Sequence, residues 1–262
     1  MRISSTRNPI IKYVKGLERA AARREDGVYL AEGVRLVTEA LDTGQEATLA
    51  VYDPATLQRT PAGSFLLSRI GTWAERSYEV DTHVLAAAAQ TEHPAGVLAV
   101  LRLPAPASLA SHAGDRLGVA LDQVSDPGNA GTILRTAAAA GVGYVVAFPG
   151  TADLFAPKVV RAGMGAHFRL PLYRETWQVL RRELPDVRTV ALDAEAVTSL
   201  YDYDWPEHAA LVVGSEAHGL TPEVRDEVDD VIRIPMQPGV ESLNASVAAS
   251  VVMYTHLGPT IH

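Results

Sequence analysis

The sequence predicts an α/β protein in two parts, a small mixed α/β domain followed by a larger domain built on a parallel sheet. Three observations carry this. The 262 residues suffice for two modest domains, since a domain takes roughly 100–200 residues. The stretch RLPAPASLASHAG at 102–114 is rich in Pro, Ala and Ser, has no sustained period and reads as a linker. Beyond it, short runs that are apolar on both faces alternate with helical patterns, as in a parallel sheet covered by helices on both sides. The expected boundaries are 1–102, a linker at 103–114 and a second domain at 115–262.

Ahead of the linker, Ile10, Ile11, Val14, Leu17 and Ala21 keep a helical spacing over residues 10–24, with basic residues on the other face. Residues 28–30, 48–52 and 96–101 read as strands, and 34–41 and 82–89 as helices. After the linker, 117–121 is a buried strand. It leads through a Gly-rich turn into a helix over 132–140, with Asn129 or Thr132 as its cap. Further strands are expected at 144–148, 189–192, 209–213 and 231–234, a helical segment at 158–164 and a last helix from about 244 to 256. Ligands of such sheets bind beyond the carboxyl ends of the strands, so the loops there are where chemistry is expected.

Composition narrows that chemistry. With no cysteine there is no disulfide, thiolate nucleophile or Cys-ligated metal centre. The eight histidines form no HExxH or HxxxH spacing, so no metal is expected. Catalysis then falls to oxygen and nitrogen side chains, with an organic cofactor. No apolar run approaches the roughly 18 residues of a membrane span, and the start MRISSTRNPIIKYVKG lacks the apolar region of a signal peptide. The expectation is a cytoplasmic protein with no membrane partner.

The formal net charge of −8 is unevenly spread, because the first 35 residues carry +4 and residues 186–230 are strongly acidic. Lys12, Lys15, Arg19, Arg23 and Arg24 form the basic face. On charge alone, that face is either solvated surface or an arm for a nucleic-acid backbone.

Three loops then stand out. The strand at 117–121 runs into DQVSDPGNAG, and Arg135 lies one turn into the helix expected after it. A Gly-rich loop opening a helix suits an anion or cofactor. The strand at 209–213 ends in GSEAHG, whose glycines let a ligand approach beside Glu216. The strand at 231–234 is followed by PMQPGVESLN, where Ser242 and Asn244 are also ordinary helix-capping types.

Taken in order, NAGTILRTAAAAG, LVVGSEAHGL and IRIPMQPGVESLNASVAAS resemble the three motifs of the SpoU family of RNA ribose 2′-O-methyltransferases. The segment PKVVRAGMG at 157–165 is also similar to the family. Ser5, Asn8, YLAEG at 29–33 and PAGV at 94–97 resemble its N-terminal substrate-binding domain, which is similar to RNA-binding ribosomal proteins. The resemblance implies a parallel-sheet catalytic domain with a deep C-terminal trefoil knot, and an S-adenosylmethionine pocket formed by that knot. It implies Gly214, Ile234 and Leu243 as cofactor contacts with Met236 nearby, and Asn129, Arg135, Glu216, Ser242 and Asn244 around the reacting ribose.

The implied function is methylation of a ribose in RNA, expected to be ribosomal RNA of the large subunit. Transfer RNA is the alternative substrate, and a non-catalytic RNA-binding or ribosome-assembly factor the alternative class. Arginine is a poor base at its normal pKa. Arg135 therefore either sits in an unusual environment or positions and stabilises charge. The family forms homodimers, and the helix at 244–256, with Val247, Val251, Val252 and Tyr254 among small residues, fits either such an interface or burial on its own sheet.

Overall fold

The computed structural model describes residues 1–258 apart from Pro106 and Glu241. Pro106 belongs to the expected linker and Glu241 to the third motif; both, with residues 259–262, lie outside the described residues. Two compact units emerge, one of Met1–Ala105 with Phe155–Phe168, the other of Pro106–Leu154 with Arg169–His262.

The first unit contains β1 (Arg2–Ile3), α1 (Pro9–Gly16), α2 (Ala20–Asp26), β2 (Val28–Glu32), α3 (Val34–Asp42), β3 (Ala47–Tyr52), α4 (Pro54–Leu57), α5 (Pro61–Trp73), β4 (Ser77–Val80), α6 (Thr82–Ala88) and β5 (Val97–Arg102). Its mixed sheet has the order β1-β4-β3-β5-β2. One face, with Leu30, Leu49, Val51, Leu98 and Val100, packs on Ile11 and Val14 of α1 and Val84 and Leu85 of α6. The other, with Tyr29, Ala31, Ala99 and Leu101, packs on α3 and α5.

The helix expected over 10–24 is broken. Asn8 caps α1 by accepting from Ile10 N at 2.9 Å, and the chain leaves the helix at Leu17 before α2 begins. Arg23, expected on the basic face, fills this break instead. It is 2% exposed and donates to the carbonyls of Leu17 at 2.7 Å and Glu18 at 2.6 Å. Those are carbonyls left open where α1 ends, and satisfying them takes Arg23 out of reach of a phosphate.

In the second unit, β6 (Leu117–Leu121), β7 (Tyr144–Ala147), β8 (Leu172–Arg174), β9 (Arg188–Leu192), β10 (Thr198–Ser199), β11 (Ala209–Val213) and β12 (Asp230–Arg233) form one sheet in the order β10-β12-β9-β11-β6-β7-β8. Every pairing in it is parallel, as the doubly apolar runs require. The helices are α7 (Pro127–Ala140), α9 (Trp177–Glu183), α10 (Pro222–Glu227) and α11 (Ala245–Leu257). Ala120, Val146, Ala191 and Val212 meet Trp177 and Leu180 of α9 and Val224 of α10. Gly118 in β6 is needed for space, since a Cβ there would lie 2.0 Å from Cζ of Tyr144, its neighbour on β7.

Two local expectations change. The helix expected to start at Thr132 starts at Pro127, because Asp126 caps it by accepting from Asn129 N at 2.8 Å. Arg135 is therefore more than two turns into α7. The acidic stretch is only partly a solvated face, since Arg181 pairs with Asp229 at 2.7 Å and Arg188 with Asp230 at 2.8 Å. The Arg188 hydrogen bonds hold the Asp230 carboxyl below the usual carboxylate range. No helix among the described residues is long and apolar enough to cross a membrane.

The segment Phe155–Phe168, which contains α8 (Pro157–Gly163), falls by sequence in the part expected at 115–262 but packs with the first unit. Val160 is 1% exposed in the cluster around Tyr29 and Leu36, with Phe155 and Phe168 against it. A fragment ending at Ala105 leaves that part of the core open to water. It is expected to be less stable by about 3 kcal/mol than the same fragment joined to 155–168 by a flexible linker, counting one buried and two partly buried apolar side chains. Urea denaturation of the two fragments measures the difference.

Candidate active site

Beyond the carboxyl ends of β9, β11 and β12 the second unit opens into a cleft. Leu192, Asp193 and Ala194 line it at the end of β9, Val213 to Glu216 at the end of β11, and Ile234 and Met236 after β12. Ser242, Leu243, Ala245 and Ala248 line it around the start of α11. The four residues expected at a cofactor, Gly214, Ile234, Met236 and Leu243, thus share one cavity with Glu216 and Ser242.

The loop after β11 is tightly tied down. Ser215 N donates to the Gly219 carbonyl at 3.0 Å, and Gly219 N donates back to that of Ser215 at 2.9 Å. Asp122, 2% exposed at the end of β6, accepts from Thr221 N at 2.6 Å and from the Thr221 hydroxyl at 2.9 Å. A Cβ on Gly214 would sit 2.5 Å from the carbonyl carbon of Gly219. Gly214→Ala is therefore expected to displace the loop, destabilise the protein by about 1–3 kcal/mol as overpacking does and narrow the cleft. Thermal denaturation alongside calorimetric titration of the cofactor checks both effects.

At the mouth of the cleft, two amides and a carboxylate form a chain whose direction is dictated by α11. Asn244 caps that helix, its Oδ1 accepting from Ser246 N at 3.0 Å, Val247 N at 3.3 Å and the Ser246 hydroxyl at 2.6 Å. Three donors surround that atom, so it must be the oxygen. Nδ2 of Asn244 consequently donates to Asn129 Oδ1 at 3.0 Å, which leaves Asn129 Nδ2 to donate to Glu216 Oε1. The hydroxyls of Ser250 and Thr136, 3.0 Å apart, join α11 to α7 one layer further in.

Arg135 stands apart from this cluster. Asn129 and Thr136, seven residues apart, share the face of α7 that meets α11, and Arg135 points about 100° away from Thr136. It is exposed and makes no hydrogen bond or ion pair among the described residues. Lys12, Lys15, Arg19 and Arg24 of the first unit are likewise exposed and unpaired among the described residues.

Sequence reasoning missed Asp193, Ala194, Ala245 and Ala248 in the cleft, and Asp122 and Ser246 behind it. Asp193 was open to inference, since it immediately follows a buried strand. Ser246 and Asp122 act only through neighbours brought by the fold. Leu192, Val213, Ile234, Met236 and Leu243 give the cleft an apolar body. Asp193 and Glu216 add carboxylates, and no lining residue among the described residues is cationic. This donor set fits a ligand with an apolar or aromatic body and a positive charge, as S-adenosylmethionine has. No group of acidic or histidine side chains among the described residues could hold a metal ion.

Comparison with known proteins identifies the family. Residues 116–254 match the model of the SpoU rRNA Methylase family, and residues 8–99 match that of the MRM3-like substrate binding domain. The chain is 34% identical to an uncharacterized tRNA/rRNA methyltransferase of Synechocystis, over 96% of this chain and 92% of that protein. It is 33% identical to the 23S rRNA (guanosine(2553)-2′-O)-methyltransferase RlmP of Bacillus subtilis, over 97% of this chain and 98% of that one. The AdoMet-bound rRNA methyltransferase from Sinorhizobium meliloti superposes with a TM-score of 0.82 at 29% identity, over 97% and 96% of the two chains. The SpoU methyltransferase AviRb of Streptomyces viridochromogenes, in complex with AdoMet, gives 0.80 at 27% identity, over 96% and 97%.

Proposed function

The chain belongs to the SpoU rRNA methylase family, and on that premise we propose that it transfers a methyl group from S-adenosylmethionine to the 2′-oxygen of a ribose in large-subunit ribosomal RNA. The observation that carries this reading is the meeting of the cation-free cleft with the Asn244–Asn129–Glu216 chain at its mouth. Ribosomal rather than transfer RNA is supported by the substrate in the RlmP name and by the match of residues 8–99 to a substrate-binding domain.

Bound S-adenosylmethionine supplies an electrophilic methyl on a sulfonium. Gly214, Ile234, Met236 and Leu243 hold it, the glycine by offering backbone without a side chain. Asn129, Ser242 and Asn244 orient the ribose, and most of the rate comes from aligning oxygen and methyl. Arg135, turned away from that cluster, meets a phosphate of the RNA as a fixed charge. The chain from β12 returns across the sheet to lay α11 against α7 and β11, the crossing that a C-terminal trefoil knot requires, and we infer that knot here.

Tritiated cofactor incubated with 23S, 16S and transfer RNA, followed by nuclease mapping, tests the function. Label at one 2′-O-methylated nucleotide of 23S RNA is expected. Label in transfer RNA alone would replace this substrate with the other.

Lys12, Lys15, Arg19 and Arg24 are read as phosphate-binding side chains, with Arg23 excluded by its burial. Neutralising the four should flatten the slope of log affinity against log salt by about 3, at ~0.7–0.9 for each phosphate whose counterion is no longer released. An unchanged slope in filter binding would place the RNA elsewhere.

A further inference from the structure

The methyl-transfer reaction releases one proton, and Arg135, which the family resemblance sets beside the reacting ribose, is ill suited to take it. A guanidinium stays protonated in proteins, and Arg135 points into solvent away from the amide chain. Resting on the methyltransferase reading above, we propose that Glu216 is the proton acceptor of the reaction.

Glu216 is where two features meet. It lines the cofactor cleft, and its side chain is the last member of the hydrogen-bonded chain that begins at the N-terminus of α11. A reaction that joins a cofactor carbon to a ribose oxygen takes place where a cofactor cavity and a ribose-orienting cluster adjoin. The direction of the chain matters as well. Because Asn244 Oδ1 is fixed as an acceptor by three donors, every link points its N–H towards Glu216, and Asn129 engages only Oε1. No hydrogen bond among the described residues engages Oε2, which keeps its acceptor capacity for a hydroxyl. Asp193, the other carboxylate of the cleft, has Oδ1 tied to Glu195 N at 2.9 Å and no link to the amides.

The step balances without any other reactant. The 2′-oxygen lone pair forms the new O–CH3 bond while the S–CH3 bond breaks, its electron pair passing to sulfur and cancelling the sulfonium charge. In the same transition state the O–H bond gives up its proton to Glu216 Oε2, neutralising the carboxylate. A free ribose hydroxyl is far too weak an acid for a carboxylate. As the O–CH3 bond forms, however, the hydroxyl gains oxonium character and its acidity rises towards that of a carboxylic acid, so a carboxylate in reach can take the proton within the transition state. Glu216 is exposed, so the proton passes on to solvent.

The test uses the full-length chain in single-turnover methyl transfer to 23S RNA, with calorimetry of the cofactor run in parallel. Glu216→Gln keeps an oxygen to accept from Asn129 but cannot take a proton. It is expected to slow transfer about 10²–10⁴-fold, with cofactor affinity retained. Glu216→Ala is expected to be equally slow and to regain rate as formate is added, while Glu216→Gln does not respond. A glutamine variant near wild-type rate overturns the assignment, and so does an alanine variant that stays slow in formate. A wild-type chain that labels no RNA fails the methyltransferase reading instead, before Glu216 is in question.

Discussion

Replacing Arg135 by alanine is expected to slow methyl transfer by about 10²-fold, the loss expected when a contact that positions the RNA, and with it the reacting oxygen, is removed. Affinity for S-adenosylmethionine should hold, because Arg135 is absent from the cleft lining. The fold should hold too, since the side chain is exposed and unpaired among the described residues. Such a residue contributes to nothing but a partner that arrives with the reaction, either the RNA or a second subunit. Arg135→Lys should recover only part of the rate, because an ammonium keeps the charge but loses the planar pair of donors that grips a phosphate. Single-turnover rates of the two variants beside calorimetric titrations decide the matter. Near-normal turnover of the alanine variant removes Arg135 from the mechanism.

The cleft was legible in the sequence because glycine and capping residues at the ends of buried strands are local signals. Gly214, Ile234, Met236 and Leu243 lie within 30 residues of one another, and each follows a strand that its own apolar run announces. The cluster at its mouth was legible only as a set of names. Asn129 and Asn244, 115 positions apart, are joined by a hydrogen bond that no spacing foretells.

What failed was of two kinds. Helix boundaries moved where a side chain outweighed periodicity, as when Asp126 took the cap and lengthened α7, or Arg23 turned inward to close the break before α2. The membership of α8 was hidden for a different reason. Its apolar residues announce that it is buried, but not against which core, and Val160 packs beside Leu36 rather than on the parallel sheet that precedes it in sequence.

The chain is expected to sediment at twice its 28.0 kDa mass at micromolar concentration, and to become a poorly active monomer when Val247 and Tyr254 are both changed to glutamate. Of the four residues first considered for an interface, Val252 is fully buried in its own unit and Val251 half-buried. Val247 and Tyr254 remain 48% and 50% exposed, and seven residues apart they fall on one stripe of α11. Leu243 and Val240, 37% and 50% exposed just before the helix, extend that apolar stripe towards the mouth of the cleft. A monomer rarely leaves such a stripe in water beside its active site. Two copies meeting there about a two-fold axis, with ~1,600 Å² or more buried in total, would bring a second chain to the rim beside Asn244. The two glutamates put like charges face to face across that axis while touching nothing buried, so circular dichroism should be unchanged. Sedimentation should then report the single-chain mass, and methyl transfer should fall far more than cofactor binding. A double variant that is monomeric and fully active would show that each chain completes its own site.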